Sequence, residues 1–182
     1  MTNKCIYIDC DGVILDSEQR MLERKKIVGF PDHNDKKQFE AYFKYADKFI
    51  EEWDYIINGA SSINSSVEII AELERLKRNI VILTKVHSLV EMKMKIANLK
   101  YSRHINCPII CVPPGIQKQE MVSAKGRILI DDSYKNINAW NLVGGKGVLF
   151  SVNQNEEERG VKKVRSLEFL LKREIYGRKY NK

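Results

Sequence analysis

The chain has 182 residues, 43% hydrophobic and 30% charged, which is enough for one full core and a small extra lobe. No apolar run approaches the roughly 18 residues of a membrane span, and "MTNKCIYIDC" lacks the apolar stretch of a signal peptide, so a cytoplasmic protein without a membrane partner is expected. The formal charge of +7, much of it in "ERKK" (23–26) and "KREIYGRKYNK" (172–182), suits an anionic small substrate or nucleic acid; a solvated lysine-rich surface is the plainer reading.

The first element is "KCIYI" (4–8), a β-branched and aromatic run that reads as a buried strand ending on Asp9. From Ser17 to Tyr55 charged residues mix with many aromatics, and Pro31, Asp32 and Asn34 mark a break between two helical stretches. A capping box, Ser65-x-x-Glu68, then opens a helix whose stripe is Val67, Ile70, Ala71 and Leu76. "IVILT" (80–84) is a second strand, ending on Thr84. A second capping box, Ser88-x-x-Glu91, precedes a helix with Leu89, Met92, Ile96 and Leu99 on one face. "PIICV" (108–112) and "RILI" (127–130) give two more strands, the latter running into Asp131 and Asp132. A helix from about Tyr134 to Leu142, a strand "GVLF" (147–150) and a last amphipathic helix through Val164, Leu167, Leu171 and Ile175 complete the chain.

Short apolar strands alternating with helices predict an α/β fold, a three-layer Rossmann-like parallel sheet. The core spans 1–16 and 60–182, and a small helical cap, 17–59, is inserted after the first strand. In such sheets ligands bind beyond the carboxyl ends of the strands, where strand order switches. Those ends carry Asp9, Thr84 and the pair Asp131 and Asp132.

Carboxylates converging from two strand ends repel unless a cation bridges them, and Mg2+ suits hard oxygen ligands with a substrate phosphate. An aspartate can also act as a covalent nucleophile, with a second acid moving protons. Asp9 and Asp11 in "YIDCDGVILDSE" offer that pair, and Gly12 allows a sharp turn after the strand. Asp16 reads with Ser17 as the hinge into the cap. Thr84 supplies a hydroxyl for a phosphate oxygen, and either Lys118 or Lys125 can offset the accumulated negative charge. The four cysteines lack metal-ligand spacing and read as reduced, mostly buried thiols; Cys10, between the two acids, is a candidate for oxidation sensitivity.

Together "IDCDGVILDSE", "VILT", Lys118 and "ILIDDSYKN" resemble the four motifs of the haloacid dehalogenase superfamily, in the expected order, from Cys5 to about Phe150. The resemblance implies a phosphatase mechanism with Asp9 as nucleophile and Asp11 as general acid/base. It further implies Mg2+ held by Asp9, the Asp11 carbonyl and Asp132, with Asp131 supporting, Thr84 on the phosphate and Lys118 stabilising the transition state. An aspartate at position 11 is similar to the phosphatases and phosphomutases rather than the dehalogenases. "KQEMVSAKGRILIDD" (118–132), in which a lysine opens a short helix, resembles the C-type 5′(3′)-deoxyribonucleotidase branch and favours Lys118 over Lys125. "NGASSINSSVEIIAELERL" and "IDDSYKNINAW" followed by "GGKGVLF" also look like that branch. Lys85 departs from it, standing where a small residue is commoner, and is a further candidate for substrate contact.

The resemblance implies a small phosphorylated substrate, of which a nucleotide is the leading candidate; a nucleic-acid end is the alternative partner. Most cap aromatics are needed for the lobe's own core, and Phe30, Tyr42, Phe43 and Trp53 are the candidates to face a base. His87 reads as an exposed helix-cap histidine, with reach to phosphate or sugar as the alternative.

Overall fold

Six short strands carry the molecule: β1 (Ile6–Ile8), β2 (Ile80–Lys85), β3 (Ile109–Val112), β4 (Ile128–Asp131), β5 (Lys146–Phe150) and β6 (Lys162–Val164). The computed structural model describes residues 4–30, 35–152 and 161–172. All the strands pair in parallel, in the order β3-β2-β1-β4-β5-β6. The chain builds outward from β1 to β3, then returns to lay β4 on the other side of β1. This is the doubly wound arrangement, and its strand order switches between β1 and β4.

Burial on both faces explains the unbroken apolar strands. Ile6, Ile8, Ile80, Ile82 and Ile130 point into one core with Ile69, Ile70 and Leu73 of helix α4 (Ser66–Arg75). Tyr7, Val81, Leu83 and Leu129 point into the other with Ile137 and Trp140 of helix α7 (Tyr134–Leu142). The register sets Ile8 opposite both Ile82 and Ile130, so β1 and β4 end level with each other.

Between β1 and β2 lie helices α1 (Ser17–Ile27), α2 (Lys36–Lys48) and α3 (Ile50–Trp53), followed by a π-helical turn, Asp54–Asn58. Asp35 caps α2 by accepting from the Lys37 and Gln38 amides. These elements bury a cluster of their own, Tyr42, Phe43, Ala46, Trp53, Ile56 and Ile57. Val90 and Met94 of helix α5 (Leu89–Ala97) pack against it. Arg24 braces the cluster through a bidentate pair with the buried Glu52, at 2.8 and 2.6 Å. Among the described residues no helix is long and apolar enough to cross a membrane.

Five expectations are corrected. The last amphipathic helix is instead β6 followed by a 3-10 turn, Leu167–Leu171; Ile175 lies outside the described residues, as do Pro31, Asp32, Asn34 and the tail from 173. The open edge of β5 captures Lys162–Val164, while Leu167 and Leu170, three apart, both reach the core as 3-10 geometry allows. The Ser65 capping box does not form: Ser65 adopts φ 56°, and the Ser66 hydroxyl bonds to the Val13 carbonyl. The buried stripe of α4 is Ile69, Ile70 and Leu73, with Ala71 and Leu76 exposed. In α5, Leu89 is exposed and the buried side chains are Glu91 and Lys95. Ser88 accepts from the Glu91 amide, but the Glu91 carboxylate turns to His87 and Lys95 instead of closing the box.

Arg24 is partly exposed, so breaking its pair costs less than the 3–5 kcal/mol of a fully buried one. Arg24→Met is expected to lower the unfolding free energy by about 2 kcal/mol in urea titration, and Arg24→Met/Glu52→Leu to recover most of the loss.

Candidate active site

Directly after β1 the chain winds tightly: the amides of Ile14 and Leu15 donate to the Cys10 carbonyl, and that of Gly12 to Leu15. Gly12 has φ +69°, and a Cβ there would stand 2.0 Å from Oδ2 of Asp132. Glycine is therefore required twice over, for its left-handed backbone and for the space that the Asp132 carboxylate occupies.

The Asp9 amide continues the ladder to the Ile130 carbonyl, which fixes Asp9 beside the end of β4. Its Oδ1 accepts from the Cys10 amide at 2.8 Å and pairs with Lys118 Nζ at 2.8 Å. Lys118 opens helix α6 (Lys118–Met121), is fully buried and also holds Asp131 Oδ2 at 2.6 Å. Asp131 further accepts from the Ser133 amide and from Asn136. Lys125 is exposed, with its stem beside Gly144 on the far side of α6 in sequence, and makes no contact with these acids.

Asp9, Asp131 and Asp132 each present an oxygen within 4.8 Å of the others. Asp131 is neutralised, whereas Asp132 makes no ion pair among the described residues. Burial, then the charges of Asp9 and Asp131, push the Asp132 carboxyl up to about 9. Burial likewise raises Asp9 to about 7, with Lys118 pulling down and Asp131 and Asp11 pushing up. Hard oxygen donors with uncompensated negative charge fit a divalent cation such as Mg2+, with Asp9 and Asp132 as the available ligands.

Asp11 is held differently. Its Oδ1 accepts from the Ser17 hydroxyl at 2.5 Å, and its Oδ2 from Lys95 Nζ at 2.5 Å. Burial pushes its carboxyl up, but the Lys95 ammonium and the Ser17 bond outweigh burial and leave it below the usual range. Thr84 is buried, with Oγ1 3.4 Å from Asp11 Oδ2.

Asp9, Asp11 and Asp132 floor a cavity of about 190 Å3 whose wall is Met21, Phe39, Phe43, Trp53, Ile56 and Ile57, while Thr84, Lys118 and Asp131 are buried behind that floor and outside the lining. Asp9, Asp11 and Asp132 line it, as do Ser17, Glu18, His87, Glu91 and Lys95. Of the four aromatics expected here, Phe43 and Trp53 line it. Phe30 and Tyr42 do not: they pack edge to face, 5.7 Å apart, within the lobe's cluster. Lys85 is also absent from the lining, and its Nζ donates to Gln117 Oε1 at 3.3 Å. His87 stacks on Phe43, centroids 3.6 Å apart, while its amide donates to Glu91. Cys10 is wholly buried and burial drives its thiol well above its ordinary value, which removes the basis for easy oxidation. Asp16 stands outside this cavity, as the residue preceding α1.

Lys95, Glu91, Ser17 and Phe39 are not expected in the site from the sequence: Glu91 reads only as part of a capping box and Ser17 only as a hinge. On a helix a Glu and a Lys four apart commonly pair on the solvent face, and only the exposure of Leu89 reveals which way α5 is turned.

No protein-family model matches the sequence, and no curated protein does so either. Solved structures do. A phosphatase described as putative from Clostridium difficile superposes with a TM-score of 0.64 at 14% identity, covering 94% of this chain and 98% of that one. A haloacid dehalogenase-like family hydrolase from Streptococcus pneumoniae gives 0.60 at 17%, covering 94% and 99%. The D,D-heptose 1,7-bisphosphate phosphatase from B. bronchiseptica, complexed with magnesium and phosphate, gives 0.57 at 15%, covering 92% and 98%.

The raised Asp132 carboxyl sets a sign for pH. Below the ordinary carboxylate value of 3.8 both states hold the proton; from there to about 9 only the native state keeps it. Cation-free protein is expected to lose stability as pH rises through that window, and Asp132→Asn to flatten the decline in EDTA. Saturating Mg2+ should raise the wild-type Tm at pH 8 by roughly 5–10 °C and leave Asp132→Asn unmoved, as followed by thermal melts. The chain has the fold of the haloacid dehalogenase-like hydrolases.

Proposed function

We propose that the protein is a Mg2+-dependent phosphomonoester hydrolase of the haloacid dehalogenase superfamily, working through an aspartyl-phosphate on Asp9. The observation that carries this reading is Asp9 at the strand switch point, ion-paired to the buried Lys118 and facing the unneutralised Asp132. A lone strand-end acid would be unremarkable; one braced by a buried lysine beside a cation-seeking carboxylate is suited to phosphoryl chemistry.

Asp9 has one oxygen fixed by Lys118 and the Cys10 amide, and its other oxygen attacks phosphorus. The bond from phosphorus to the leaving oxygen breaks, its electron pair stays on that oxygen, and Asp11 supplies the proton, which requires that it enter this step in its protonated form although Lys95 and Ser17 favour the ionised one. Water then attacks phosphorus, the bond to Asp9 breaks with its electrons returning to the carboxylate, and Asp11 takes the water's proton. The sum is monoester plus water giving alcohol plus phosphate. Lys118 has two acceptors, Asp9 and Asp131, so its third hydrogen is free to stabilise the equatorial oxygens of the transition state. The Thr84 hydroxyl, beside Asp11, is the group assigned to a phosphate oxygen.

Asp9, the Asp11 carbonyl and Asp132 would hold Mg2+, and Asp131, tied to Lys118, Asn136 and the Ser133 amide, would keep that strand end in place. When bound, the cation offsets the carboxylate charge that would otherwise repel an anionic phosphate.

Residues 17–59 act in this reading as the cap over the site. The aromatic wall of Phe39, Phe43 and Trp53 supports a flat, apolar leaving group and hence a (deoxy)nucleoside monophosphate, in keeping with the sequence likeness to the deoxyribonucleotidase branch.

The test is phosphate release from dNMPs, NMPs, sugar phosphates and 3′-phosphorylated oligonucleotides. Mg2+-dependent release from mononucleotides is expected, with Asp9→Asn lowering kcat by about four orders of magnitude or more. Phe39→Ala should raise KM for nucleotides about tenfold while sparing p-nitrophenyl phosphate. Near-full activity of Asp9→Asn would refute the covalent route, and preferred release from oligonucleotides or sugars would refute the nucleotidase assignment alone.

A further inference from the structure

Lys95 is a buried lysine for which the catalytic scheme has no role. Its three ammonium hydrogens meet three acceptors: Asp11 Oδ2 at 2.5 Å, Glu91 Oε1 at 2.7 Å and the Lys85 carbonyl at 2.9 Å. A lysine has three donors, so Lys95 has none left for a substrate phosphate. It differs in this from Lys118, and the difference marks it as a strut. Burying a lysine with a buried glutamate is expensive, and a well-packed apolar pair would serve stability as well. What an apolar pair cannot do is fix a carboxylate.

We propose that Lys95 is a positioning residue that aims Asp11 at the water which hydrolyses the aspartyl-phosphate, an inference that rests on the phosphatase reading above. The two oxygens of Asp11 are gripped from opposite elements, Oδ1 by Ser17 at the start of α1 and Oδ2 by Lys95 on α5. Two such contacts fix the plane of the carboxylate as well as its place. Glu91 holds Lys95 from behind, and is itself held by the amide and Nδ1 of His87. In the second half-reaction the water oxygen bonds to phosphorus, the bond to Asp9 breaks, and the water proton passes to Asp11. A carboxylate turned away from the water loses the general-base contribution while Asp9, held by Lys118, still attacks the ester normally.

The consequence is a split that a general loss of structure does not produce. With p-nitrophenyl phosphate, whose leaving group needs no proton, Lys95→Gln should still phosphorylate Asp9 and then stall. We expect a burst of p-nitrophenol near one equivalent of enzyme, then a kcat lowered about 100-fold. KM should fall with kcat, leaving kcat/KM within about fivefold of the wild type. Lys95→Met/Glu91→Gln, which avoids an uncompensated buried glutamate, should behave alike and serves if the single variant does not fold. A kcat/KM that falls as far as kcat without a burst, or a kcat that does not fall, would overturn the inference. Wild-type turnover in the same assay separates that outcome from failure of the phosphatase reading, which would leave the wild type inactive too.

Discussion

The structure depends on one electrostatic constraint: parallel strands β1 and β4 lie side by side and end level, each on carboxylates. The sheet fixes this arrangement and the cores on its two faces hold the sheet, so the acids cannot move apart to relieve their repulsion. Charge must be supplied instead. Lys118 supplies it for Asp9 and Asp131 from a helix that the chain reaches only after β3. Asp132 is left over, lying over Gly12 where any side chain would collide with it. The raised Asp132 and Asp9 carboxyls express the same fact, a site complete in shape and short of positive charge.

What the sequence made legible follows from that constraint. A parallel sheet buried on both faces writes its strands as apolar runs, so a charged residue at the end of a run stands out, as Asp9 and Asp131 do. Lys118 was readable only through the resemblance of "KQEMVSAKGRILIDD" to a known branch, since spacing alone left Lys125 equally open; Lys118 does begin α6. Side chains whose meaning depends on how a helix is rotated were not legible. Glu91 reads as a capping-box residue on a helix with Leu89 on its buried face, whereas α5 exposes Leu89 and turns Glu91 and Lys95 inward. Phe30 and Tyr42 lie in the same aromatic-rich stretch as Phe43 and Trp53, yet only the second pair reaches the cavity. The end of the chain failed for another reason. A helical period in 164–171 competed with an unpaired strand edge, and the edge of β5 prevailed.

The two leading acids differ in what supports them. Asp9 is fixed by its own ladder hydrogen bond, by the Cys10 amide and by Lys118, which belong to the sheet, the loop after β1 and the short helix α6 at its carboxyl edge. Asp11 is fixed by Ser17, the first residue of α1, and by Lys95 of α5. Both of those helices also contribute to the aromatic cluster above the site, α1 through Met21 and α5 through Val90 and Met94. In the proposed scheme the nucleophile is therefore anchored to the sheet, while the proton carrier is anchored to the elements that bear the lobe.

That division gives the lobe a route to the chemistry that does not require it to touch phosphate. The stacked rings of His87 and Phe43 join the start of α5 to α2, and His87, Glu91, Lys95 and Asp11 then follow in unbroken contact. Displacing α2 would remove the ring that His87 stacks on, and the disturbance would reach Asp11 through two ion pairs buried on the Lys95 side. Asp9 has no such connection. In the proposed scheme, movements of the lobe should thus be felt by proton transfer before they are felt by nucleophilic attack, because among the described residues the lobe reaches Asp11, directly through Ser17 and through α5 by way of Lys95, whereas Asp9 is held by Lys118.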